Sequence, residues 1–143
     1  MNVRRGSICL IALFSCMALR SAAACSPLPD YSSEPEYLKA QADHIFLGRV
    51  RSVSVNEARS RVTIKFQVSR FWKGSNNNVR TVRTALDDSQ CGLGSDFFVK
   101  GKTYLVYADQ SKLGITTSTL SGTKESADAK DDLTYLGKGR KAS

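Results

Sequence analysis

Val62, Ile64, Phe66 and Val68 alternate strictly with Thr63, Lys65, Gln67 and Ser69. Side chains of an extended strand point to opposite faces at each step, so this run predicts a strand with one face in a core. Other apolar runs flank it. Ile45, Phe46, Leu47, Val50, Val53 and Val55 predict a long preceding strand. Its apolar parity changes near Gly48, as a bulge or sharp coil requires. Phe71-Trp72-Lys73-Gly74 ends the alternating strand, Ser75 to Asn78 forms a turn, and Val79 to Ala85 is a third strand. Phe97 to Val99 and Thr103 to Ala108, joined through Lys100-Gly101, predict a tight hairpin, and Gly114 to Thr119 a sixth strand.

Two helices complete the pattern. Ser33 as N-cap and Glu36 three residues on form a capping box for a helix over Glu34 to Gln41. A second helix is expected over Thr123 to Leu136, stopped by Gly137. The chain is therefore expected to be mainly β, with five or six antiparallel strands and a helix near each end. A small closed barrel of the OB-type Greek-key kind suits it, because closure removes exposed strand edges. Residues 25–137 are expected to form this one domain, and Lys138 to Ser143 a frayed, disordered tail.

The first 24 residues read as a secretory signal peptide. Arg4 and Arg5 supply the positive start, and Ile8, Cys9, Leu10, Ile11, Leu13, Phe14, Cys16, Met17 and Leu19 the apolar stretch. That stretch is short of the ~20 apolar residues of a membrane span. Ala22-Ala23-Ala24 offers the small residues of a cleavage site, which makes Cys25 the first mature residue. Cleavage removes 24 of 143 residues and leaves 119. It also removes three of the 21 basic residues and none of the 13 acidic ones, leaving a net charge of +5. The mature chain is expected to be secreted, periplasmic or attached to the cell envelope, and monomeric. A lipobox also ends at a cysteine, with Leu usual where this chain has Ala22, so acylation of Cys25 is the competing expectation.

Cys9 and Cys16 leave with the signal, so Cys25 and Cys91 remain as an even pair in an exported chain. A bridge between them closes a long loop and pins the N-terminus to the body; two free thiols are the alternative.

Other chemistries find little purchase. His44 is the only histidine and lies beside Asp43, which suits a structural residue better than a triad member, and no enzyme activity is expected. His, Cys, Asp and Glu show no multi-ligand metal spacing. Gly92-Leu93-Gly94 lacks the third glycine and following helix of a dinucleotide fingerprint, so no cofactor is expected. Lys65, Arg70, Lys73, Arg80 and Arg83 suggest a basic strip, but few stacking aromatics accompany it. With export added, no nucleic-acid partner is expected.

Several segments, in order, resemble the netrin-like module of the tissue inhibitors of metalloproteinases. They are Cys25-Ser26-Pro27, Ala42 to Val50, Phe71-Trp72-Lys73-Gly74, Gln90-Cys91-Gly92, Gly101 to Ala108, Thr117 to Thr123, and Leu133 to Gly137. The resemblance spans nearly all of residues 25–137 and implies a single-domain, bacterial-type relative with an OB-fold barrel. It further implies that the Cys25 α-amino and carbonyl groups chelate the zinc of a target metalloendopeptidase. Ser26 then points into the protease pocket beside the scissile bond. Ser26, Pro27, Leu28, Gln90, Cys91 and Gly92 form the inhibitory ridge, and Cys25 pairs with Cys91. Where the family carries a second disulfide, this chain has Pro27 and Leu120, so one staple holds the ridge in place of two. A non-inhibitory envelope or extracellular protein-binding module, with Cys25 either free or lipidated, is the other class consistent with the residues.

Overall fold

The computed structural model describes Cys25 and residues 30–143. The expected signal peptide lies outside the described residues, as do Ser26, Pro27, Leu28 and Pro29.

The architecture follows from one long curled strand. β1 (His44–Asn56) pairs antiparallel with β2 (Arg61–Lys73) along most of its length. Its first half, His44 to Arg49, also pairs antiparallel with β4 (Thr103–Ser111). β2 continues to β3 (Val79–Ala85), and β5 (Gly114–Thr116) joins β3 to β4, so the ring β1-β2-β3-β5-β4 closes on itself. The chain is thus mainly β, an OB-like barrel with a short helix near each end, α1 (Pro35–Gln41) and α2 (Lys130–Leu136). Closure is not purely antiparallel: Val82 pairs with Ile115 and Arg83 with Thr116 in parallel. The β4–β5 hairpin brings β5 back along β4, and the remaining free side of β3 accepts it in the parallel sense.

The expected break at Gly48 coincides with a register shift between Leu47 and Gly48. A Cβ at Gly48 would stand 3.1 Å from Phe66 Cβ and 3.2 Å from the Phe46 ring. Glycine there lets the strand coil tightly enough to serve two neighbours.

Two cores result. Phe46, Val50, Ile64, Phe66, Val82, Tyr104 and Val106 fill the barrel. Leu38, Ala42, Ile45, Leu105, Tyr107, Ala129 and Leu136 form a second cluster between the barrel wall and the two helices. β4 is therefore buried on both faces, which accounts for the unbroken apolar run Tyr104 to Ala108.

Several sequence expectations are corrected. Helix α1 starts at Pro35 with Glu34 as its N-cap, and no capping box forms. Proline at the first helical position drives the preceding residue to extended geometry, which moves the cap past Ser33. Ser32 Oγ instead accepts the Glu34 N–H at 3.1 Å. Phe97 to Val99 is not a strand. The Tyr104 hydroxyl donates to the Phe97 carbonyl at 2.8 Å and accepts the Val99 N–H at 3.0 Å, so a side chain satisfies that backbone. Phe98 is thereby turned into the barrel, with its ring centroid 5.7 Å from Phe66 and 5.1 Å from Tyr104. The second helix is shorter than expected. Lys124–Glu125 first forms β6 against Tyr104 and Leu105, and a 3-10 turn precedes α2. Residues 138–143 are not a frayed tail: Arg140–Lys141 forms β7 on Arg70 and Phe71 of β2. Arg140 lies over the Phe71 ring at 4.4 Å, and the Trp72 indole N–H donates to the Gly137 carbonyl at 3.1 Å. These contacts hold the tail on the end of β2 that β3 leaves free.

Arg80 is also misplaced by the basic-strip expectation. Along β3 it shares the inward face with Val82 and Thr84, and it is 3% exposed. Its guanidinium lies 4.8 Å above the Phe46 ring, and Nη1 reaches His44 Nδ1 at 3.4 Å. His44 Nε2 meets Gln110 Oε1 at 3.1 Å.

Candidate functional site

Cys91 ends a short 3-10 turn (Asp88–Gln90) in left-handed geometry, at φ 59°. Asp87 organises that turn. Its backbone carbonyl accepts the Gly92 N–H at 3.0 Å, and its carboxylate accepts from the Ser89 hydroxyl and, at 3.3 Å, from the Gln90 side-chain amide. Asp87 is thus the loop's internal brace.

Gly92 is buried against the end of β3. A Cβ there would overlap the Ala85 carbonyl and stand 2.7 Å from the Asp87 carbonyl oxygen. Both obstacles are backbone, so no rotamer change relieves them. Gly92→Ala is expected to displace the loop and cost about 2–4 kcal/mol, at the upper end of ordinary single substitutions. Urea unfolding of the two proteins measures this, and a loss under about 0.5 kcal/mol would show that the loop gives way freely.

A disulfide joins Cys25 to Cys91, with the two Cα atoms 5.4 Å apart. The half-buried Cys25 is thereby placed on the braced loop, one residue from buried Gly92 and exposed Gln90. Cys25, the expected chelating residue, is brought to three of the expected ridge residues, Gln90, Cys91 and Gly92. Ser26, Pro27 and Leu28 lie outside the described residues.

A second loop supports the bridge from behind. The Thr119 N–H donates to the Cys91 carbonyl at 3.0 Å. The base of that loop is tied to β4. The Thr117 hydroxyl donates to the Tyr107 carbonyl at 2.9 Å, and Thr123 Oγ1 accepts the Tyr107 N–H at 3.0 Å. Below it, the buried Tyr107 hydroxyl donates to Asp132 Oδ1 at 2.9 Å, and Lys124 Nζ reaches Asp132 Oδ2 at 2.9 Å. Burial, then the Asp132 carboxylate, pushes the Tyr107 phenol far above its usual range. Sequence reading singled out none of Thr117, Thr123, Tyr107 or Asp132 as supports. Their partners are 10 to 25 residues away in the chain, beyond any local pattern.

Among the described residues no three His, Cys, Asp or Glu side chains gather into a metal-binding group, and no helix is long and apolar enough to cross a membrane. Fold and bridge together define a small closed β-barrel whose Cys25 is stapled to a braced loop. No protein-family model matches the chain, and no curated protein matches it.

Proposed function

We propose that this chain is an exported inhibitor of zinc metalloendopeptidases. Processing after Ala24 makes Cys25 the first residue, and its α-amine and carbonyl oxygen chelate the protease zinc. A catalytic zinc keeps an open position filled by water, which a bidentate amine and carbonyl displace. The amine binds as its neutral form. An unperturbed α-amino group titrates at about 7.7–8.0, so loss of its proton is a small cost at neutral pH. No peptide bond remains on the amine side of Cys25 to be cleaved. Ser26, Pro27, Leu28 and Gln90 supply contacts on either side.

The observation that supports this reading is the Cys25–Cys91 bridge onto a loop held by Asp87 and Thr119. A terminus held this way forfeits little entropy when it docks, unlike a free peptide. The same bridge weighs against acylation, because a lipidated cysteine has its sulfur in a thioether and cannot form a disulfide.

The test is a one-residue extension. Purified mature protein beginning at Cys25 is expected to inhibit a zinc endopeptidase from a panel, and the same protein with one Ala before Cys25 to lose at least about 100-fold in inhibition constant. Circular dichroism is expected to superimpose. Equal inhibition by both forms overturns chelation, and a diacylglyceryl group on Cys25 by mass spectrometry overturns the inhibitor reading itself.

A further inference from the structure

Between α1, β4 and the 117–123 loop lies an open cavity of about 250 Å³. Tyr31, Tyr37, Leu38, Asp109, Ser118 and Leu120 line it. The two tyrosine rings meet edge to face, with centroids 5.8 Å apart and planes at 78°. Asp109 is the one carboxylate in this lining. The ion pairs among the described residues are Lys102–Glu125 and Lys124–Asp132, so Asp109 has no cationic partner of that kind. Neighbouring Asp43 adds a second negative charge, its carboxylate receiving the Gln110 N–H at 2.8 Å, and His44 lies close enough to act in the opposite sense. An acidic hollow with aromatic walls therefore sits on a chain whose net charge is positive.

We propose that this pocket receives a lysine or arginine side chain from a partner polypeptide. The aliphatic stem lies against Tyr37, Leu38 and Leu120, and the cationic head meets Asp109. Long basic side chains suit such a site, because the stem covers apolar surface while the head stays at a polar group. Aromatic faces add attraction for the same charge. A polypeptide partner is favoured by position. Ser118 and Leu120 line the pocket while Thr119, between them, binds the Cys91 carbonyl, so the pocket adjoins the Cys25–Cys91 bridge. The basic side chain is argued from the pocket alone, whereas the polypeptide source rests on the inhibitor reading, which sets a protein against the bridge.

Asp109 also supplies an internal control. Burial, then Asp43, raises its carboxyl above the usual range, with His44 opposing. The folded state thus disfavours the ionised form, and stability falls as pH rises through this group's titration. Asp109→Asn removes that penalty, so the variant is expected to melt no lower than the parent at pH 7.

The experiment titrates the ¹⁵N-labelled mature protein with blocked Ala-Lys-Ala, Ala-Arg-Ala and Ala-norleucine-Ala, and with butylamine. The lysine and arginine peptides are expected to shift the amides of Asp109, Ser118 and Leu120, and the norleucine peptide not to. Asp109→Asn is expected to weaken both basic peptides by at least about tenfold. Equal binding of the norleucine peptide, which needs no variant, overturns the proposal. So do undiminished binding by Asp109→Asn and shifts confined to another surface. Butylamine binding as tightly as the lysine peptide overturns the polypeptide source.

Discussion

Replacing Cys25 and Cys91 together with serine is expected to lower the stability of the mature chain by about 4 kcal/mol. The bridge spans a separation of 66 residues, and tying two such points removes much of the unfolded chain's freedom. For a domain of this size the loss corresponds to a fall in Tm of roughly 15 °C. The native barrel is expected to survive in form, because its ring of strands closes without the bridge. Urea titration at constant slope measures the effect, with far-UV circular dichroism as the check on fold. A change below about 1 kcal/mol would mean that the bridge constrains little of the unfolded ensemble. In any assay where the parent inhibits, the double replacement is also expected to abolish inhibition, since residue 25 is then no longer tied to the Asp87 to Gly92 loop.

Asp132→Ala is the other large expected effect, at about 3 kcal/mol of destabilisation. Asp132 is 4% exposed and binds both the Tyr107 hydroxyl and Lys124. Its removal leaves a buried phenol without an acceptor, which alone costs about 1–3 kcal/mol. The Lys124 contribution is smaller, because that side chain is 28% exposed and water screens it. Thermal unfolding measures the total, and a double-mutant cycle with Tyr107→Phe isolates the phenol's share. If the second substitution restores nothing, the hydroxyl–carboxylate bond is not what holds α2 to the barrel. The parent also carries an alkaline signature. With the folded-state phenol raised above its ordinary value, the unfolded state releases its proton first. Stability is full below about pH 10 and declines above it.

Much of the barrel was legible residue by residue. The alternation from Val62 to Val68 is the buried pattern of β2, and Val79 to Ala85 is β3 as expected. The parity change at Gly48 marked the coil that lets β1 serve two neighbours. Each of these signals is local, with a period or a missing Cβ readable within a few residues. The misreadings arise where a distant group decides. Tyr104 captures the backbone of Phe97 and Val99, which local propensity assigns to a strand. The free edge of β2 orders residues 140–141, which composition assigns to a tail. Arg80 looks exposed by type and is buried by strand parity.

The candidate site divides in the same way. The sequence alone determined that the chain is strand-rich and that Cys25 and Cys91 are the two cysteines beyond the apolar N-terminal stretch. Tertiary structure decided which backbone groups support that pair. Thr119 reaches Cys91, Thr117 and Thr123 reach Tyr107, and Tyr31, Leu38, Asp109 and Leu120 converge on one pocket. The physical reason is range. Alternation, capping and turn chemistry act within a few residues, whereas barrel closure sets which distant segments meet, and only a closed ring defines the two loops that flank the bridge.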